Sequence, residues 1–179
     1  GEENRGLNCM FTMMNSARLS VGLQGVAQGE LATQAALAYA RERRQGRAPG
    51  STGTSAIIDH PDIRRTIATM RAMTDATRTI CYMTAGALDR ARRGNDKTAA
   101  DRAALLTPVA KAFSTDLGNE IASMGVQVHG GMGFIEETGA AQIMRDVRIA
   151  GIYEGTNGIQ SIDLVQRKLP LGGGAVVRA

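Results

Sequence analysis

The sequence predicts an all-α fold. Aromatic residues make up only 3% of the 179 residues and Trp is absent, whereas Ala, Met, Leu and Arg fill long segments. This composition favours helices over a sheet. Within these segments apolar residues recur every three or four positions, which is the spacing of one face of an amphipathic helix. A chain of this length is expected to form one domain with a buried hydrophobic core.

A first helix is predicted from about Met10 to about Arg44, because apolar residues keep helical spacing over that span. Gly22, Gly25 and Gly29 lie on one of its faces, and each costs about 1 kcal/mol relative to Ala inside a helix. The three glycines therefore indicate that something approaches this face closely. Close packing of another helix explains them as well as the approach of a ligand does.

The next two helices are predicted from their starts and their apolar stripes. The second is predicted to start at Asp59-His60-Pro61, with Pro61 at or near its first turn, and to end at Gly94-Asn95-Asp96. The third is predicted to begin near Thr107 and Pro108, because a capping residue followed by proline is a favourable start. It is predicted to end near Gln127. Its predicted inner face consists of Val109, Ala112, Phe113, Leu117, Ile121, Met124 and Val128.

The C-terminal part is predicted to form shorter helices. Residues 140–147 carry one apolar face, and residues 157–169 form a last helix that Pro170 ends. The run of three glycines at 172–174 predicts a flexible linker or tail over residues 170–179.

Charge and cysteine content narrow the functional classes. The net charge is +4, but the arginines are dispersed and lack interleaved aromatics, so nucleic-acid binding is not favoured. The binding of a phosphate-rich cofactor would explain the same mild excess of basic residues.

The two cysteines, Cys9 and Cys81, have neither metal-ligand spacing nor a disulfide framework, which predicts no metal site and a reducing cytoplasm. No apolar run approaches membrane-spanning length, and the missing initial Met predicts a fragment of a longer chain.

Two charged residues stand out by their positions. Glu154 lies beside Gly155 at a break between helical segments, where glycine lets the backbone come close to a ligand. Thr156 or Asn157 can cap the next helix. The alternative is a solvated glutamate in a helix joint. Arg18 falls on an apolar stripe. A charge there needs a partner, because an unpaired buried charge is costly. The alternative is that Arg18 lies at the domain edge and extends its charged end into solvent.

Three separated strings resemble the C-terminal helical domain of acyl-CoA dehydrogenases. They are Ile152-Tyr-Glu-Gly-Thr156 followed by Ile159-Gln160, then Gln127-Val-His-Gly-Gly-Met-Gly-Phe134, and Met144-Arg145-Asp146. The resemblance covers about residues 6–169. The strings Arg41-Glu-Arg-Arg-Gln-Gly46 and His60-Pro-Asp-Ile-Arg-Arg65 are similar to the larger members, such as methylmercaptopropionyl-CoA dehydrogenase-like enzymes. The resemblance implies an up-down four-helix bundle over residues 1–169, with short extra helices at its C-terminal end. It places the family's N-terminal and middle domains outside this chain.

The resemblance assigns the catalytic role to Glu154. This residue would take the α-proton of an acyl-CoA thioester while the β-hydrogen leaves as hydride to flavin N5. Asn15 and Arg18 match positions near the acyl-CoA, and Gly155 would let the substrate lie close. Thr156 is expected to contact the FAD cofactor.

A second group of residues matches positions that contact FAD held by a neighbouring subunit. In the family, an arginine at the place of Arg43 reaches the pyrophosphate, and the loop with Gln127, Gly130 and Gly131 touches the adenosine half. His129 is expected to be a packing residue. The resemblance thus implies FAD as cofactor, a homodimer or homotetramer, and electron-transfer flavoprotein as the electron acceptor.

The expected function is the α,β-dehydrogenation of an acyl-CoA. Because much of the family's acyl pocket and flavin cradle lies in other domains, this chain alone is expected to bind FAD weakly and to lack full activity. Two other classes stay open: a helical assembly module in which Glu154 has no catalytic task, and a flavoprotein of the same fold that binds duplex DNA in the response to alkylation. The acyl-CoA oxidases use the same base and also stay open.

Overall fold

The computed structural model describes residues 1–178, and these residues are helical without a β-strand. The long helices are α1 (Gly6–Glu42), α2 (Pro61–Gly94) and α3 (Lys97–His129). The short helices are α4 (Gly131–Phe134), α5 (Ala140–Arg148), α6 (Asn157–Asp163) and α7 (Ala175–Arg178). Single 3-10 turns occur at Ile57–Asp59, Glu136–Thr138 and Ile149–Gly151. The predicted all-α class is confirmed. α1 begins four residues before the predicted Met10 and ends two residues before the predicted Arg44, and α2 lies where the second helix was predicted.

The helices run up and down as a four-helix bundle. α2 returns antiparallel to α1, and α3 follows α2 after a connection of only two residues, 95–96. The fourth position is filled by α5 and α6, which descend along α3 one after the other. Val147 of α5 contacts α3 at Gly118, and Asn157 of α6 bonds to Thr115 of α3. The fourth helix is therefore broken, and the break is the joint between α5 and α6 that carries Glu154.

The start of α3 differs from the prediction. The helix begins at Lys97, where the Asp96 carboxylate accepts a hydrogen bond from the Ala99 backbone N–H at 3.0 Å and caps the helix. Thr107 and Pro108 therefore lie inside the helix instead of starting it. The cap and the alanine-rich turns after it stabilise the helix enough to tolerate the backbone hydrogen bond that Pro108 cannot make.

The inner face of α3 also differs from the prediction. Phe113 is 41% exposed, although Ile121 and Val128 are buried as expected. A Cβ on Gly25 of α1 would lie 2.3 Å from the Ser114 carbonyl oxygen of α3, so the two backbones touch and only small side chains fit between them. Close helix packing, and no ligand, therefore explains the glycine face of α1. The buried face of α3 carries Ala110, Lys111, Ser114, Thr115 and Gly118.

The hydrophobic core lies between α1, α2, α3 and α5. Its buried members are Ala32, Ala36, Ala40, Ile67, Met70, Ile121, Ala122, Val128 and Val147. Cys81 belongs to a second, smaller cluster, and burial raises the pKa of its thiol. This thiol is therefore a packing group with little tendency to ionise.

The C-terminal residues fold onto the bundle. α6 continues into a π-helical turn (Leu164–Lys168), so the predicted last helix is present over most of its length. Residues predicted as a linker or tail form a 3-10 turn (Leu171–Gly174) and α7, which packs against α3. Among residues 1–178, no helix is both long enough and apolar enough to cross a bilayer.

Candidate active site

The joint between α5 and α6 has an unusual backbone at Glu154. Its φ is +55°, and Gly155 after it has φ +82°; we call this pair the Glu154 turn. A left-handed backbone costs a non-glycine residue on the order of 1–2 kcal/mol. Such strain persists only where the surrounding structure holds the backbone, and it is found mainly at functional sites.

Side chains of α3 and α6 hold both carbonyl groups of the Glu154 turn. The Lys111 ammonium donates to the Gly155 carbonyl oxygen at 2.9 Å. The Gln160 amide donates to the same oxygen at 3.0 Å and to the Glu154 carbonyl oxygen at 3.4 Å. These hydrogen bonds offset the strain of the turn, since each buried carbonyl that is satisfied favours this backbone over alternatives.

Lys111 is completely buried in the structure, and sequence reasoning missed it. Its ammonium also donates to Asn157 Oδ1 at 2.9 Å. Burial lowers the pKa of Lys111 to about 8. The Asp116 carboxylate opposes this change, the Arg18 charge adds to it, and the Glu154 carboxylate opposes it. A lysine among the small residues of one α3 face was the available sequence signal.

The Glu154 side chain keeps a free hydrogen-bond acceptor. It is half-buried, and its Oε2 atom is shielded from solvent without a hydrogen-bond partner among residues 1–178. Buried carboxylate oxygens usually have a partner. An acceptor left unused inside a held turn is suited to receive a proton from a bound molecule.

A buried ion pair lies beside the Glu154 turn. Arg18 Nη1 is 3.2 Å from Asp163 Oδ2, and these residues are 5% and 4% exposed. Arg18 thus has the partner that its position requires, and it does not snorkel at the domain edge. It also donates to Asn15 Oδ1 at 3.4 Å, and its Nη2 lies 3.8 Å from where a Cβ on Gly155 would be. The structure therefore brings Asn15, Arg18 and the Glu154 turn together.

Thr156 caps α6. Its Oγ1 accepts a hydrogen bond from the Ile159 backbone N–H at 3.3 Å. Of the two residues that the sequence offered as caps, Thr156 takes this role, whereas Asn157 bonds to α3. The Thr156 side chain adjoins the Glu154 turn and is exposed.

Two of the remaining predicted cofactor residues, Arg43 and Gly130, line a cleft of about 330 Å³ at the far end of α1. We call it the Arg43 cleft; its lining includes Arg43, Gly46, His60, His129 and Gly130. Arg43 is exposed. His129 is buried, and its ring stacks on Tyr39 with centroids 4.4 Å apart. This contact agrees with the expected packing role of His129.

The two groups of predicted residues are well separated. Gln127 and Gly131 are exposed near the Arg43 cleft, at the end of α3. Arg18 and Arg43 are 25 residues apart along the chain, which corresponds to roughly 37 Å along a helix. The structure therefore does not bring the Arg43 cleft to the Glu154 turn.

Comparison with known proteins identifies the family. Residues 4–169 match the family model described as "Acyl-CoA dehydrogenase, C-terminal domain". The chain belongs to the acyl-CoA dehydrogenase family. This acyl-CoA dehydrogenase domain is 51% identical to 3-methylmercaptopropionyl-CoA dehydrogenase of Ruegeria pomeroyi, over 99% of the chain and 31% of that relative. It is 32% identical to a butyryl-CoA dehydrogenase of Syntrophomonas wolfei, over 93% of the chain and 28% of that relative.

Solved structures of the family share the fold of this acyl-CoA dehydrogenase domain. Butyryl-CoA dehydrogenase of Megasphaera elsdenii superposes with a TM-score of 0.80 at 26% identity, over 94% of this chain and 40% of that chain. The domain spans about a third of the length of the two curated relatives named above, from Ruegeria pomeroyi and Syntrophomonas wolfei. The resemblance seen in the three sequence strings is confirmed.

Proposed function

We propose that this domain supplies the catalytic base of an acyl-CoA dehydrogenase, which removes hydrogen from the α and β carbons of an acyl-CoA thioester. Family membership supports the reaction class. The names of two relatives, 3-methylmercaptopropionyl-CoA dehydrogenase and butyryl-CoA dehydrogenase, favour short acyl chains as substrates.

The observation that carries the proposal is the Glu154 carboxylate with a buried, unpartnered oxygen on a strained turn. In the proposed reaction this carboxylate takes the α-proton of the thioester, and an α,β double bond forms. Bound FAD supplies the hydride acceptor for the β-hydrogen.

The Arg43 cleft fits the phosphate-bearing part of FAD. The planar Arg43 guanidinium can donate two parallel hydrogen bonds to a pyrophosphate. Apart from Gly130 and its two chain neighbours, no residue of 1–178 has an atom within 4 Å of where a Cβ on Gly130 would be, so the backbone there is open to a ligand. We assign Gln127 and Gly131 to the adenosine side of the same surface, because they are exposed beside it.

The separation of the two sites favours an oligomer. A distance of roughly 37 Å along α1 exceeds the length of one extended dinucleotide. The FAD that meets Arg43 would therefore belong to the active site of a second subunit in a homodimer or homotetramer. Electron-transfer flavoprotein is the proposed acceptor: a relative 34% identical over 90% of the chain is the Caffeyl-CoA reductase-Etf complex subunit CarC of Acetobacterium woodii. A cytoplasmic location suits the free thiols of Cys9 and Cys81.

The test uses the complete polypeptide that carries this domain, purified with FAD. Butyryl-CoA or 3-methylmercaptopropionyl-CoA is mixed with the wild type and with Glu154→Gln, and loss of the visible flavin absorbance is followed in a single turnover. We expect the wild type to bleach and the variant to bind but to bleach about 10²–10⁴ times more slowly.

Glu137→Gln, at an exposed glutamate outside the Glu154 turn, is the matched control and should bleach like the wild type. Equal bleaching by the wild type and Glu154→Gln would contradict the assignment of the base. If no thioester bleaches the wild type, the dehydrogenase function is contradicted and a purely structural assembly role is favoured.

A further inference from the structure

The strongest unexplained feature of the molecule is the fully buried ammonium of Lys111 behind the Glu154 turn. A buried charge is costly unless it is paired and hydrogen-bonded. Lys111 is hydrogen-bonded but has no carboxylate within ion-pair distance in the described residues: its two hydrogen bonds go to the Gly155 carbonyl oxygen and to Asn157 Oδ1, both at 2.9 Å. The charge is thus directed at the backbone of the turn.

A second layer of hydrogen bonds orients these partners. The Asn157 amide nitrogen donates to Thr115 Oγ1 at 2.9 Å and to Asp116 Oδ1 at 2.6 Å. These two bonds leave Asn157 Oδ1 facing Lys111. The Thr115 hydroxyl in turn donates to the Lys111 carbonyl oxygen at 2.8 Å. The lysine therefore belongs to a network that joins α3 to the first residue of α6.

Lys111 does not contact the carboxylate that it affects. In the described part of the chain no ion pair within 4.0 Å joins the Lys111 ammonium to the Glu154 carboxylate. Its direct contact with the Glu154 turn is the hydrogen bond to the Gly155 carbonyl oxygen. Positive φ values at two successive residues are easily lost, since most residues prefer negative φ, so a fixed anchor for this carbonyl has a clear physical use.

We propose that Lys111 is a positioning residue, whose ammonium keeps the Glu154 turn left-handed and so holds the Glu154 carboxylate where it meets the substrate. This inference rests on the proposed role of Glu154 as the base. Lys111 acts through the backbone and touches neither substrate nor cofactor.

The charge state of Lys111 gives the proposal a pH signature. Burial lowers the pKa of Lys111 to about 8, and the charged groups that face it are Asp116, Arg18 and Glu154. Above pH 8 the ammonium loses its charge, and its hydrogen bond to the Gly155 carbonyl weakens because charge-assisted bonds are the stronger ones. The rate of flavin reduction should therefore fall on the alkaline side of pH 8.

The experiment compares Lys111→Met with the wild type in the complete, FAD-loaded polypeptide. Single-turnover flavin reduction, acyl-CoA affinity and the melting temperature are measured for both. We expect reduction to slow by about 10²-fold, since small displacements of a catalytic group have effects of that size. Acyl-CoA affinity should change by less than about threefold, and the alkaline fall near pH 8 should disappear.

A milder pair of variants decides the question if Lys111→Met does not fold. Thr115→Val removes the hydroxyl that orients Asn157, whereas Thr74→Val removes an equally buried hydroxyl of α2 that bonds to the Met70 carbonyl oxygen at 2.8 Å. Both should lose similar stability. We expect Thr115→Val to reduce flavin several-fold more slowly, on the order of fivefold, and Thr74→Val to match the wild type.

Each result has one meaning. A folded Lys111→Met with the wild-type reduction rate and only a lower melting temperature overturns the proposal, as do equal rates for Thr115→Val and Thr74→Val. If Glu154→Gln still bleaches flavin at the wild-type rate, the proposed function fails and the positioning role fails with it. If Glu154→Gln is inactive and only Lys111→Met behaves as the wild type, the positioning role alone is wrong.

Discussion

Two regions along α1 carry opposite kinds of site. At the Glu154 turn the charges of Lys111 and of the Arg18–Asp163 pair are buried and held by side chains of the same chain. At the Arg43 cleft the arginine is exposed, and the space beside it is open. The difference indicates that side chains of this chain hold the Glu154 turn, whereas the Arg43 cleft is left open.

Removal of the Asp163 charge should have the largest effect on stability. Asp163→Asn keeps the shape of the side chain but leaves Arg18 buried without its ionic partner, and it also removes the partner of Arg167 at 3.6 Å. We expect the free energy of unfolding to fall by about 3–5 kcal/mol, the usual result of breaking a buried pair from one side. Urea denaturation of the chain measures this loss.

Asp75→Asn is the control for the buried pair. Asp75 also pairs with two arginines, but its side chain is 51% exposed, so the loss should stay below about 1 kcal/mol. Similar losses for the two variants would show that burial of the Arg18–Asp163 pair does not matter for stability.

A pair of glycine variants compares how tightly the two regions are built. Gly155 has φ +82°, and in Gly155→Ala the new Cβ would lie 2.9 Å from Gln160 Nε2. Backbone strain and the loss of the Gln160 hydrogen bonds should therefore lower the free energy of unfolding by about 2–4 kcal/mol. Gly46→Ala has φ +67°, but its nearest neighbour is His60 Cε1 at an ordinary 3.5 Å. Strain alone should cost about 1 kcal/mol.

Thermal or urea unfolding of both glycine variants checks this difference. If Gly46→Ala proves as destabilising as Gly155→Ala, the backbone of the Arg43 cleft is held as tightly as the Glu154 turn, and the two regions do not differ in this respect.

The free energy of unfolding should also depend on pH, with a smaller change per pH unit than the substitutions at Asp163 and Gly155 produce. The pKa of Lys111 is about 8 in the folded chain against 10.5 as its ordinary value, so between these values the unfolded chain binds more protons. Stability therefore rises with pH over that window, with a slope of at most about 1.4 kcal/mol per pH unit. Lys111→Met should lack this rise when the unfolding free energies are compared from pH 7 to pH 10. A parallel pH dependence in both proteins would mean that Lys111 keeps an ordinary pKa.

The smallest effect on stability is expected at Arg43. Arg43→Met removes an exposed side chain, so the free energy of unfolding should change by less than about 0.5 kcal/mol. Affinity for FAD in the complete polypeptide should nevertheless fall about 10–100-fold, because a charge-assisted hydrogen bond to phosphate is lost. Arg47→Met, at an exposed neighbour, is the control. Unchanged FAD affinity in Arg43→Met would remove this residue from the cofactor site.

The sequence predicted the features that rest on local pattern. α2 was predicted to start within residues 59–61 and to end within residues 94–96, because a proline start and a long apolar stripe are local signals, and the observed helix Pro61–Gly94 lies within these limits. The cap at Thr156 also follows from neighbouring residues. The need of Arg18 for a partner could be predicted, but Asp163 could not, because it lies 145 residues further along the chain.

The features that were missed depend on contacts between distant segments. The buried face of α3 consists of small and polar residues, so it has no apolar signal, and its partner is the glycine face of α1. Lys111 lies on that face and was missed for the same reason. Pro108 was mistaken for a helix start because a proline is unfavourable inside a helix unless the rest of the helix compensates. The roles of Asn15, Arg43, Gln127 and the other predicted site residues stay predictions.

Through the glycine face of α1, substitutions at some distance from the Glu154 turn can disturb that turn. A side chain at Gly22 or Gly25 would meet backbone atoms of α3, and backbone cannot move aside as a flexible side chain can. The two helices would have to separate. Arg18 and Lys111, one turn or less from these contacts, reach the same joint from the two helices. We therefore expect that substitutions along this helix contact can abolish the proposed activity, although these residues contact neither the acyl-CoA nor the FAD. A survey of inactivating variants should find such substitutions there.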